Sequence, residues 1–206
     1  MHKARPFVVL LLVALVLGGA SWLAVRSLGK PERPEFATVL ADPLPLPEFS
    51  LVDQSGAPFT RERLLGTTSL MFFGFTHCPD ICPATLAELA SARKQLRSRE
   101  GAEARLPQIV FVSVDPERDT PEKLAAYVGH FGDGFVGVTG SEEQLRALAK
   151  PLGIWFEKEP LGEDYSVSHS AAVLFIDGKA ELRALFGAPH RRDSFVHDVP
   201  LLVATR

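Results

Sequence analysis

From Ser69 onward, short apolar runs alternate with amphipathic stretches, and this alternation confines the chain to a few architectures. "SLMFFGF", Ser69 to Phe75, is apolar, rich in aromatics and ended by a loop, the pattern of a buried strand. "CPATLAELASARKQLRSR" follows, with Leu86, Leu89, Ala90 and Leu96 near helical spacing and charge on the other face. Pro83 is expected as its first helical residue, which makes Cys82 the N-cap. "QIVFVSV", Gln108 to Val114, predicts a second buried strand, and "DTPEKLAAYVGHF" a second helix with Thr120 as cap and Pro121 at the first position. "GFVGVTG" predicts a third strand, "SEEQLRALAKPLG" a helix capped by Ser141, and "AVLFIDGKAELRALF" two strands joined at an Asp177-Gly178 turn. A last helix is expected from near Arg191 through "DSFVHDVPLLV", interrupted or bent at Pro200. "EFSLVDQSGAPFTRERLLG" reads as a hairpin and a short helical turn leading into the Ser69 strand. The sum is an α/β domain with a central sheet covered on both faces, and ligands in such domains sit at the carboxyl ends of the strands. One such end leads directly into the stretch that holds the chain's two cysteines.

Near the amino end, "FVVLLLVALVLGGASWLAV", residues 7–25, is a charge-free apolar run of 19 residues, about the length that crosses a bilayer as a helix. It has no polar face, which argues against a buried core helix, and no small-x-small site follows it, which favours an uncleaved anchor over a signal peptide. Residues 1–6, with Lys3 and Arg5, are expected in the cytoplasm, residues 7–25 as a single transmembrane span, and the remainder on the far side. Residues 26–47 contain prolines at 31, 34, 43, 45 and 47 and read as an extended tether. Residues 48–206 are then about the length of one domain. A net charge of -3 and the lack of any basic block exclude nucleic acid as an expected partner.

Cys78 and Cys82 are the chain's only cysteines, spaced Cys-x-x-x-Cys. A disulfide between them would close a very short loop and restrict the unfolded chain little, so stability is a poor reason for the pair. A thiol at a helix amino terminus feels the positive end of the helix dipole, and on that ground Cys82 is expected to be the acidified one. Thiolate is both a nucleophile in disulfide exchange and a soft metal ligand. Two thiolates suit copper(I), whereas zinc would want two further side chains. A third ligand would come from His77, His130, His169, His190 or His197.

Four segments together resemble the Sco/SenC family: "GFTHCPDICPATL", "VSVDPERDTPEKLAAY", "TGSEEQLRALAKPLGIWFEK" and "DYSVSHSAAVLFID". The resemblance implies a thioredoxin-like fold, a central mixed sheet flanked by helices, carried on an N-terminal transmembrane helix. It implies copper, Cu(I) or Cu(II), bound by Cys78, Cys82 and His169, and a role in assembling the dinuclear copper site of cytochrome c oxidase. The implied partners are the copper-bearing subunit of that oxidase, a copper donor and an external thiol reductant. The implied location is the bacterial inner membrane, with residues 48–206 in the periplasm. The rival function on the same thiols is a thiol-disulfide oxidoreductase that keeps the oxidase's ligand cysteines reduced. A peroxiredoxin-type peroxidase fits less well, because one residue separates Thr76 from Cys78 where that motif has two. Ser168 departs from the family, which often has aspartate before the histidine, and bears on the tautomer of His169. His77, His130, His190 and His197 are expected at the surface; the resemblance implies that Asp115, Arg118 and Asp119 lie near the site, Asp115 and Asp119 as docking residues and not ligands; and Phe75, Tyr165 and Phe175 are expected as core or pocket wall.

Overall fold

The computed structural model describes residues 33–98, 106–162 and 164–204, together with Leu15 and residues 17–19. Leu15 and residues 17–19 are helical, and the rest of the expected span at 7–25 lies outside the described residues. Among the described residues no helix is long and apolar enough to cross a membrane. The compact unit runs Pro34–Arg206.

Its elements in chain order are β1 (Thr38–Pro45), β2 (Ser50–Asp53), β3 (Pro58–Thr60), a 3-10 turn (Arg61–Leu64), β4 (Ser69–Gly74) and α1 (Ile81–Arg97). There follow β5 (Gln108–Ser113), α2 (Pro121–Gly129), β6 (Phe135–Thr139), α3 (Glu142–Ala149) and a second 3-10 turn (Lys150–Leu152). The chain ends with β7 (Phe156–Leu161), β8 (Asp164–His169), β9 (Val173–Ile176), β10 (Glu181–Phe186) and α4 (Arg192–Ala204). Eight strands form one mixed sheet in the order β1-β10-β9-β4-β5-β6-β2-β3. β4, β5 and β6 run parallel, with β9 antiparallel to β4 on the other side. β4 is buried at every residue, the reason its sequence is an unbroken apolar run instead of an alternation. Burial of each of its large side chains contributes about 1.5–3 kcal/mol. α1 packs on α4, and α2 on β6.

The caps of α2 and α3 follow the sequence: Thr120 accepts from Lys123 N–H and Ser141 from Gln144 N–H. α4 is continuous from Arg192 to Ala204 and is not interrupted at Pro200. The β9-β10 turn puts its left-handed residue at Ala180 (φ 58°), two positions beyond Gly178.

Two segments depart from expectation. The first is the tether: residues 38–45 form β1, antiparallel to β10, and do not hang free up to residue 47. An edge strand tolerates proline, so a proline-rich stretch can still pair. Ahead of β1, the buried Asp198 carboxylate on α4 accepts the main-chain N–H groups of Glu35, Phe36 and Ala37 at 2.9, 2.7 and 2.7 Å. The second is the β7-β8 hairpin, a two-stranded sheet of its own that extends from "IWFEK" to His169. Each strand buries a single residue, Phe156 in β7 and Val167 in β8, so neither carries the in-out alternation that marks a strand in sequence.

Candidate metal centre

β4 ends at Gly74, and the loop that follows carries Cys78 before α1 starts at Ile81. Asp80, not Cys82, is the N-cap, and Cys82 is the second helical residue. The Asp80 side chain makes no capping bond. Cys78 Sγ takes that place, accepting the N–H of Cys82 at 3.5 Å. A side chain four positions ahead of an unpaired N–H in the first helical turn can do this, which gives the Cys-x-x-x-Cys spacing a physical use.

This arrangement reverses the expected roles of the thiols. Cys78 is pulled down to about 4, chiefly because the Cys82 thiol donates to it; partial burial opposes this, and His169 and the N–H groups of Asp80 and Cys82 add to it. Cys82 is pushed up, because its proton is engaged by Cys78 and because it is fully buried. The reduced pair is therefore one thiolate at the accessible position and one thiol beneath it.

His169 closes the group from across the fold, as the last residue of β8. Its Nδ1 lies 2.9 Å from the Ser170 carbonyl oxygen, which can only accept, so Nδ1 carries a proton and Nε2 is the nitrogen turned to the thiols. Nε2 lies 3.4 Å from Cys82 Sγ. The tautomer is thus set by the main chain at Ser170, and Ser168 costs the site nothing in that respect. Phe72 and Phe75 hold the imidazole edge-on, each with a centroid separation of 6.0 Å. The two sulfurs and a ring nitrogen all lie within 4.8 Å of one another. Two soft sulfurs and an imidazole nitrogen match the donor preference of copper.

Gly74 makes room for the group: a Cβ there would stand 2.8 Å from Cys82 Sγ and 2.8 Å from Phe111. Nothing in the strand pattern singles it out, since the clash involves a residue on another element.

Asp115 and Asp119 are not docking residues. Both are fully buried and saturated by internal donors. Asp119 accepts from Thr76 N–H at 2.8 Å, Thr76 Oγ1 at 2.5 Å and Ser113 Oγ at 2.5 Å, which fastens the cysteine loop to the end of β5. Asp115 accepts from Arg118 Nε and from Tyr165 O–H at 2.7 Å. His77 is exposed, as expected, and its Nδ1 lies 3.7 Å from Asp119. These three residues also approach one another, but both carboxylates are already engaged. His190 differs from expectation: it is partly buried between Phe72 and Phe195, with Nε2 2.6 Å from the Ala171 carbonyl oxygen, and burial lowers its pKa. Phe75 and Phe175 are core, and Tyr165 is partly buried against it.

Residues 41–204 match the family described as SCO1/SenC. The chain belongs to the SCO1/SenC family. It is 40% identical over 159 residues to a candidate copper-binding protein of Stutzerimonas stutzeri, covering 77% of this chain and 76% of that one. Identity to the mitochondrial SCO1 homolog 1 of Arabidopsis thaliana is 36% over 152 residues, 73% of this chain; the match spans only 45% of the plant protein's length. The crystal structure of Arabidopsis thaliana ScoI with copper bound is similar to this SCO1/SenC chain with a TM-score of 0.70 at 34% identity, covering 76% of this chain and 97% of that one.

Proposed function

We propose that this SCO1/SenC protein is a copper metallochaperone that takes copper on Cys78, Cys82 and His169 and helps to assemble the dinuclear copper site of cytochrome c oxidase. The observation that carries the reading is that His169 Nε2 stands 3.4 Å from Cys82 Sγ and that this nitrogen and both sulfurs lie within 4.8 Å of one another, three donor atoms gathered at one point. Copper arrives at one thiolate and one thiol, so loading displaces one proton, from Cys82. Cys82 is buried and Cys78 only partly so, which makes Cys78 the sulfur that a partner meets first.

A second reading rests on that same asymmetry. A half-buried thiolate above a buried thiol is the layout of a dithiol reductase: Cys78 attacks a partner disulfide and forms a mixed disulfide, and Cys82 then attacks Cys78 Sγ, breaking it; the two partner sulfurs leave as thiols with the Cys82 proton and one proton from solvent. The chain's two thiols become a disulfide in that cycle, and an external thiol reductant restores them.

The apolar run at 7–25 supports a single-pass anchor in a bacterial inner membrane with the compact unit in the periplasm, where the oxidase copper site and the copper donor would be met.

Copper titration of the reduced, detergent-purified chain tests the reading. One copper per chain is expected, with Cys78→Ala, Cys82→Ala and His169→Ala each weakening it, the thiolate losses more for Cu(I) and the imidazole loss more for Cu(II). A His169→Ala protein that binds both ions like the parent overturns the chaperone assignment in favour of the reductase.

A further inference from the structure

Arg118 lies in the loop between β5 and α2, a segment with no ligand in it, yet it touches both halves of the metal centre. Its Nε donates to Asp115, and its Nη1 donates to the Tyr165 carbonyl oxygen at 3.0 Å and to Asp164 at 3.2 Å. The guanidinium carbon stands 3.8 Å from the centroid of the Tyr165 ring. Tyr165 O–H returns to Asp115, so the three side chains close a ring. On its other side the guanidinium lies 5.9 Å from the Phe75 ring, and Phe75 is the residue against which His169 packs edge-on. Phe75 also begins the cysteine loop, and its carbonyl accepts Cys78 N–H at 3.3 Å.

We propose that Arg118 is a positioning residue that sets where His169 stands relative to Cys78 and Cys82. The inference rests on the copper reading given above. Among the described residues β8 makes no ladder bond to the eight-stranded sheet, so the place of its last residue is decided by what clamps the hairpin down. Tyr165 is four residues before His169 on the same strand, and Arg118 is the side chain that joins it to the floor shared with the cysteine loop.

Arg118 is not needed merely to keep the hairpin attached. Phe156 and Val167 are buried in the core, Arg146 bonds the Phe156 carbonyl and Glu157, and Trp155 and Ser170 exchange two hydrogen bonds. Arg118 Nη2, moreover, is buried with no partner among the described residues, a cost that a residue selected for stability alone would avoid. Its planar, forked cation is what can stack on Tyr165 and bond in plane at once, and a lysine cannot do both.

The test is a set of copper affinities and the Cu(II)/Cu(I) potential for the full-length chain and its variants Arg118→Ala, Tyr165→Phe, His169→Ala and the Arg118→Ala/His169→Ala double variant. Arg118→Ala is expected to weaken Cu(II) by about tenfold, as loss of a support behind a ligand does, and Cu(I) much less, raising the potential and shifting the Cu(II) spectrum in the sense of His169→Ala. In the His169→Ala background the same change should add nothing, because a residue that acts through His169 has nothing left to position. Tyr165→Phe removes one bond of the ring and keeps the stacking, so it should shift the potential in the same direction by less. Tyr165→Phe also carries the test if Arg118→Ala does not fold. A weakened His169→Ala beside unchanged Arg118→Ala and Tyr165→Phe overturns the inference alone, as does an Arg118→Ala loss that persists in the double variant. A His169→Ala protein equal to the parent overturns the ligand reading and this inference with it.

Discussion

Replacing Cys82 with alanine removes the main cause of the acidity of Cys78, and the change is readable in the rate at which Cys78 is alkylated. In the parent, with Cys78 near 4 against 9.0 for an ordinary thiol, Cys78 is almost wholly thiolate at pH 6. An ordinary thiol is then only about 0.1% thiolate, so Cys78 gains roughly 1,000-fold in reactive fraction. A thiolate of lower pKa is a weaker nucleophile, by about 0.4–0.5 log units per pKa unit, so five units take back roughly 100- to 300-fold. The net advantage at pH 6 is thus only about 3- to 10-fold, and by pH 8 it has turned into a disadvantage. Absolute rates are therefore poor evidence, and burial of Cys78 would confound them further. The pH slope is free of both problems. Iodoacetamide labelling of the reduced, copper-free parent, followed by mass spectrometry, should give a Cys78 rate that is flat from about pH 5.5 to 8, where an ordinary thiol accelerates about tenfold per unit. Cys82 should stay unlabelled until the protein unfolds. In Cys82→Ala the flat region should give way to a rate that climbs with pH, because the thiol donor is gone and the N–H groups of Asp80 and Cys82 and the His169 contact alone hold the thiolate. Labelling of Cys82 ahead of Cys78, or a tenfold rise per pH unit at Cys78 in the parent, refutes the assignment of thiolate and thiol.

Gly74→Ala should weaken copper binding without touching a ligand, since its Cβ would force Cys82 Sγ or Phe111 aside; a cost of about 1–3 kcal/mol in thermal or denaturant unfolding is expected with it. Asp198→Asn should free the segment ahead of β1, because an amide cannot satisfy three N–H donors as the carboxylate does: faster hydrogen exchange at residues 35–37 and a loss of about 2–4 kcal/mol are expected, with copper affinity unchanged. Burial pushes the Asp198 carboxyl up, but those donors and His197 outweigh it and hold it below the usual range, so the segment should loosen as the pH falls toward that lowered value, not near neutrality.

Much of this protein was decided locally. The continuous apolar run of β4, the Thr120-Pro121 and Ser141 helix starts and the period of α1 are properties of neighbouring residues, so strand and helix order could be read from the chain alone. So could the identity of the two thiols, as the only cysteines present, and His169 by resemblance to the Sco/SenC segments. What the tertiary structure alone decided is everything that depends on which groups face one another across elements. The thiol roles were inverted because the helix begins one residue before Cys82, which hands the terminal N–H groups to Cys78 and puts Cys82 in the core. Asp115 and Asp119 changed from surface residues to buried ties because two of their donors, Tyr165 and Thr76, come from distant places in the chain. β1 formed from a proline-rich stretch because β10 offered it an edge, and Asp198 far along the sequence fastened what precedes it. Local pattern reports the period of burial along one segment; it carries no information on the partner that a buried polar group, a lone pair or a glycine's missing side chain will meet.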